Sequence, residues 1–483
     1  MVDRTDDSGT GSLREAITSA NASAGVPDVI VFAIPGTGVQ TIRPLSELPA
    51  ITDPLVIDGY SQGALSTPDD TSDDARPNGL ALGSDARLLV EIDGSLAGAG
   101  ANGLRLKGSD SLIRGLVINR FDGDGVLVTG ASAVRNVIAG NFIGIDAAGT
   151  AAQANGGDGV HLEGGAEGNT IGGATPEARN VISGNDVWGV FLTGGGTSLN
   201  VVSGNYIGTN AGGDSPLTNG IYGFPPRGGG VAVLDLASNN TVGGAGPGAG
   251  NVISGNEMFD VLIQADGVRL QGNRVGTNAA GTATVGTSQV GVAVGGKGDV
   301  IGGNDADDGA IDGVVHARNL ISVGGGGALG TQGNDVGGTR IQGNYVGTTL
   351  DGSAGLGSGD VTFNATSGLT FGGTEPGAGN VVTGKVFGFL VSHLVIQGNL
   401  IGRDAAGTIT LVGSTLDIQP NADGDVLIGG TSPSARNVLA SLLVGRARYN
   451  PVRSRGTTSA PTPRAWSPLP ALSPAAARRP PTC

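Results

Sequence analysis

Short runs of Val, Ile and Leu, about four to six residues long and closed by Gly or Asn, recur along most of the 483-residue chain. The runs are too short and too β-branched for helices, so they predict strands. One run has the form Gly-Val-x-Val/Leu: Gly125 to Val128, Gly159 to Leu162, Gly189 to Leu192, Gly230 to Val233 and Gly291 to Val294, with Gly388 to Val391 as a variant. Alternation turns Val126/Val128, Val160/Leu162, Val190/Leu192, Val231/Val233, Val292/Val294 and Phe389/Val391 inward. Leu127, His161, Phe191, Ala232, Ala293 and Leu390 then face outward, a row without carboxylate, Lys or Arg.

Two further motifs interleave with this one. Gly140-Asn141-Phe142-Ile143-Gly144 returns with its Asn at 205, 273, 344 and 399, spacings of 64, 68, 71 and 55 residues. Ala178-Arg179-Asn180-Val181-Ile182-Ser183-Gly184 has counterparts around Asn251, Asn319, Asn380 and Asn437. A fixed long period of this kind marks a solenoid, in which one coil cannot bury its aliphatic residues alone but stacked coils can. The unit predicts about three coils of roughly 20 residues. Asn136, Asn180, Asn251, Asn319, Asn380 and Asn437 are placed at one repeat position before an inward Val or Ile. There an Asn can take a turn geometry and bond its amide to the next coil, so these residues form the expected structural ladder.

These repeats resemble those of bacterial right-handed parallel β-helix proteins of the pectin-lyase-like superfamily. Asp6-Asp7-Ser8-Gly9-Thr10-Gly11-Ser12-Leu13-Arg14-Glu15-Ala16-Ile17 resembles the CSLREA segment that opens many such chains, without its leading Cys. The resemblance implies an all-β fold, a single right-handed parallel β-helix, in a secreted or surface-displayed protein for which no general enzymatic activity is established. Ser12 and Glu15 have capping-box spacing, so a short helix over 12–21 is expected to cap the first coil. The expected divisions are a cap segment over 1–25, the β-helix over 26–440 and a tail over 441–483. The tail holds seven Arg, eight Pro and no acid. It reads as a basic arm for an anionic surface, as a linker, or as a segment foreign to the fold.

Composition narrows the function. Gly numbers 92 without a Gly-X-Y period, which excludes collagen. A net charge of −15 argues against nucleic acid as a partner, and without a run of about 18 apolar residues no membrane insertion is expected. The one cysteine, Cys483, leaves no disulfide framework. Met1 leads into Asp-rich sequence rather than a signal peptide, so either the protein is not exported or its true start is missing, and an extracellular or surface location is expected by resemblance alone.

The outward row of the Gly-Val strands lacks the pair of carboxyls that glycosidic hydrolysis needs. His161 is its one ionisable group, a candidate base or ligand set against a plain surface histidine. Phe142, Tyr206 and Tyr345 share one position and point outward. They read either as a ladder for sugar stacking, about 14 Å between units, or as cover for a turn. Tyr222-Gly223-Phe224-Pro225-Pro226-Arg227 resembles the Tyr-Gly-Phe-Asp-Pro-His motif of alginate epimerases, with Pro225 and Arg227 in place of the acid and the histidine that move protons. Asp305, Asp307 and Asp308 offer oxygen ligands for calcium or form a solvated acidic loop; no other cofactor is expected. The first expectation is a non-enzymatic scaffold with adhesion to glycans or cell-surface polymers. The alternative is a polysaccharide lyase, glycoside hydrolase or epimerase acting on an acidic glycan.

Overall fold

The computed structural model describes the chain except residues 24, 26, 64–73, 222–227, 287, 308–311, 313, 333–334, 412–413, 422–423, 443–452, 456–457 and 460–483. Its strands form three sheets of 14, 14 and 12 members, and the strand pairings within each sheet are parallel. Each coil gives one strand to each sheet, except the first and the last, which add none to the third. Val137–Ala139 lies in the first sheet, Phe142–Ile143 in the second and Val160–Glu163 in the third, before Thr170–Gly172 returns to the first. The fold is a parallel β-helix. At about 4.8 Å per strand, fourteen coils make a rod about 60 Å long.

The coil is longer than its motifs predict. Ile138 pairs with Ile171, 33 residues on, and Phe142 pairs with Val181, which pairs with Tyr206. The 64-residue period therefore spans two coils of about 32 residues, not three of about 20. Gly-Asn-Phe-Ile-Gly and Arg-Asn-Val-Ile-Ser-Gly are the same corner on alternate coils.

Inward alternation is observed through the third sheet, where Val126, Val128, Val160, Leu162, Val190, Leu192, Val231, Val233, Val292 and Val294 are fully buried. Two positions differ from expectation. Phe389 is 42% exposed, because Val386 and Gly388 pair with the inward Val361 and Phe363 and carry it outward. Phe259–Ile263 is a further strand of this sheet, hidden in the sequence because Asp260 stands where its neighbours Gly230 and Gly291 have glycine. Glycine is otherwise required there by crowding: a Cβ on Gly159 would stand 2.6 Å from the Gly189 carbonyl oxygen and 2.8 Å from Asn185 Nδ2.

The helix spans Leu13–Ala20, with the Ser12 hydroxyl accepting from the Glu15 N–H at 3.2 Å. Glu15 turns its own carboxylate to Ser19 rather than back to the cap. Leu13, Ile17 and Ala20 fall on one face and join Val2, Ile30 and Phe32 in the apolar core that runs on through the coils. No helix among the described residues is long and apolar enough to cross a membrane. At the far end, Ser441–Leu442, Arg453–Arg455 and Thr458–Ser459 add one more parallel strand to each sheet, beyond the expected coil boundary at 440.

Candidate functional site

The repeated asparagines lie at corners inside the rod, and they form more than one column. At the corner entering the second sheet, Asn141, Asn180, Asn205, Asn251, Asn273, Asn319, Asn344, Asn380, Asn399 and Asn437 are stacked and buried. Each of the first nine donates its backbone N–H to the side-chain oxygen of the next. Each Nδ2 also reaches the next amide oxygen and a carbonyl of the previous coil, as Asn205 does with Asn251 at 3.1 Å and Ile171 at 2.8 Å. Asn136 does not share this position: it starts a separate column with Asn169, Asn200 and Asn240 at the corner entering the first sheet. A third column, Asn155, Asn185, Asn219 and Asn256, precedes the third sheet and closes on the carboxylate of Asp260.

Phe142, Tyr206 and Tyr345 point away from the second sheet, but they are only 1%, 3% and 9% exposed. A small hairpin follows each and folds over it, bridged at Ile145–Ala152, Thr209–Pro216 and Thr348–Gly355. Of the two readings, a stacking ladder or cover for a turn, the burial agrees with the second; the expected 14 Å spacing is corrected to about 10 Å for Phe142 and Tyr206, which are two coils apart. Arginines complete the cover. The Arg179 guanidinium lies 4.6 Å from the Tyr206 ring centre and Arg318 3.9 Å from that of Tyr345, favourable cation–π geometry.

His161 stands on the outer face of the third sheet, as expected, and it has company there. Asp124 and Asp158 lie one coil apart, two residues before Val126 and three before His161, on the same outward face. His161 Nδ1 is 3.2 Å from Asp124 Oδ2 and 3.5 Å from Asp158 Oδ2. The other carboxylate oxygens accept backbone N–H groups of the following coil or strand, Asp124 from Asp158 and Asp158 from Trp188, both at 2.8 Å. The Phe191 ring, 4.9 Å from the imidazole, borders it on the next coil. Burial, then the charge of Asp124, push the Asp158 carboxyl up to about 7 despite the pull of His161. Burial pulls the His161 imidazolium down, but the hydrogen bond and charge of Asp124, with Asp158 and Glu163, outweigh it and raise the pKa. Around neutral pH the three groups can therefore hold a proton or a cation between them.

This face does carry carboxylates, and also Arg105, which pairs opposite Leu127 and lies 3.3 Å from Glu47. The earlier row stopped at the residue between the two valines. The signal was Gly-Asp-Gly-Val, present twice, at 123–126 and 157–160; strict alternation from Val126 and Val160 would turn both Asp inward, and the turn before each strand is what carries them to the outer face beside His161.

The acidic insertion does not gather its ligands in the same way. Asp307 accepts the Asn304 N–H and lies 3.9 Å from Arg340, Asp305 is buried with its N–H bonded to the Pro376 carbonyl, and Asp308 lies outside the described residues. Tyr222 to Arg227 also lie outside them. Among the described residues, Asp124, Asp158 and His161 are the group of three whose metal-ligating atoms fall within 4.8 Å of one another.

No family model matches this chain. No curated protein matches it either. Among solved structures, the chain is similar to the A-module of the mannuronan C-5 epimerase AlgE6 of Azotobacter vinelandii, at 12% identity and a TM-score of 0.36 over 95% of this chain and 98% of that one.

Proposed function

We propose that this chain is a non-enzymatic β-helical scaffold, secreted or displayed at a cell surface, whose outer faces adhere to glycans or other surface polymers. The observation that supports it is how the repeated positions are used. The asparagines that recur on every coil bond to one another inside the rod, and the recurring aromatics sit beneath their own hairpins. The periodic chemistry of the chain thus serves length and stiffness, the properties of a spacer or a long adhesive face.

A second reading, an enzyme acting on an acidic polysaccharide, is favoured by one feature, the Asp124–Asp158–His161 cluster with its acid near neutrality and its aromatic border. One experiment separates the two. The purified chain is applied to a glycan array and incubated in parallel with uronic-acid polymers. The scaffold reading expects retention on a glycan or polymer with no change in chain length, unsaturation or epimer content. Product formed by the wild type and abolished in H161A would refute it.

A further inference from the structure

We propose that Asp124, Asp158 and His161 form a binding site for one divalent transition-metal ion of the zinc class, through Asp124 Oδ2, Asp158 Oδ2 and His161 Nδ1, with water completing the set. Three observations carry this. The first is charge. The three side chains are only 15%, 7% and 16% exposed, and neither carboxylate has a Lys or Arg within ion-pair distance among the described residues. Two like charges brought together out of water are costly, and a dication bound between them offsets that cost.

The second is spacing. Ligands about 2.0–2.1 Å from a tetrahedral zinc are about 3.3–3.4 Å from one another. The two observed separations from Nδ1, 3.2 and 3.5 Å, bracket that edge. The third is orientation. Each Asp has its Oδ1 tied by a backbone N–H from the next coil. The tie fixes the rotation of the carboxylate and turns Oδ2 toward the imidazole, as an outer shell does in metal sites. A nitrogen donor on a strand with two single carboxylate oxygens from the turns just before the strands suits zinc-class ions better than calcium, which takes six to eight oxygens.

The site does not depend on the adhesive reading. Metal uptake without glycan retention, or the reverse, tells the two apart.

The test uses the full chain, stripped with a chelator and titrated calorimetrically with ZnCl2, with metal content measured after dialysis. One equivalent is expected to bind, with affinity at least tenfold weaker in H161Q and D124N and unchanged in H316Q. Circular dichroism checks that each variant is folded. The stripped wild type is also loaded with Co2+, which needs no variant and is expected to give the intense visible absorption of a four-coordinate site. No zinc uptake by the wild type, wild-type uptake in H161Q and D124N, or only the weak absorption of octahedral Co2+ would overturn the proposal.

Discussion

The corner entering the second sheet and the corner entering the third are built on the same principle and end differently. The first is an unbroken file of ten asparagines, from Asn141 to Asn437, neutral from end to end. The other has four, from Asn155 to Asn256, and then hands its bonds to a carboxylate, Asp260. A neutral amide both donates and accepts, so a file of amides can be extended by any number of coils. A carboxylate only accepts, and it brings a charge into the rod. The difference teaches that ionisable chemistry enters this fold where the amide period lapses.

The largest expected effect tests that lapse through pH. Burial pushes the carboxyls of Asp260 and Asp299 up to about 7, against the ordinary 3.8. A group with a raised folded pKa favours the folded state while it is protonated. Its contribution is therefore complete below about pH 4 and is lost as pH rises through about 7. Melting temperature is expected to fall from pH 5 to pH 8 and to fall less in D260N, which keeps an oxygen for the Asn256 amide. An equal slope in wild type and D260N would show that Asp260 is ionised in the folded chain.

The next effect breaks the neutral file. Asn205→Ala takes the acceptor from the buried Asn180 N–H and removes the Nδ2 bonds to the Ile171 carbonyl and the Asn251 amide oxygen. About 3 kcal/mol of stability should be lost, since each orphaned buried group costs roughly 1–3 kcal/mol. Asn155→Ala removes fewer bonds, those to Phe121, Ile118 and Asn185, and its cost is expected at about 2 kcal/mol. Denaturant midpoints at constant slope measure both. Equal losses would mean that a long file adds nothing over a short one.

These corners also account for what could be read from the sequence and what could not. The inward pairs Val160/Leu162 and Val190/Leu192 were legible because strand alternation is local, whereas Phe389 was misplaced because the register shifts beside it. The coil count was not. Asn141 follows Gly and Asn180 follows Arg, so two copies of one corner looked like two elements, and only the pairing of Phe142 with Val181 unites them. The strand Phe259–Ile263 was obscured by the Asp260 that closes the third file. His161 was visible as an outward residue. Its partners were not, because their position lies before the strand and their approach depends on the offset between coils.

The smallest expected effect concerns the cover over the second sheet, where two equivalent tyrosines differ by one bond. The Tyr206 hydroxyl accepts the Gly83 N–H at 2.8 Å, and Arg179, stacked on the same ring, holds the Leu80, Ala81 and Gly83 carbonyls. Tyr206→Phe keeps the ring and the stacked guanidinium but leaves a buried N–H without its acceptor, a loss of about 1 kcal/mol. Tyr345 has the same stacked arginine, while its hydroxyl has no hydrogen-bond partner among the described residues. Tyr345→Phe should therefore cost less than about 0.5 kcal/mol. If the two variants unfold at the same denaturant concentration, the segment around Gly83 is held by Arg179 and the ring alone, and the hydroxyl contributes nothing to tying that long loop to the rod.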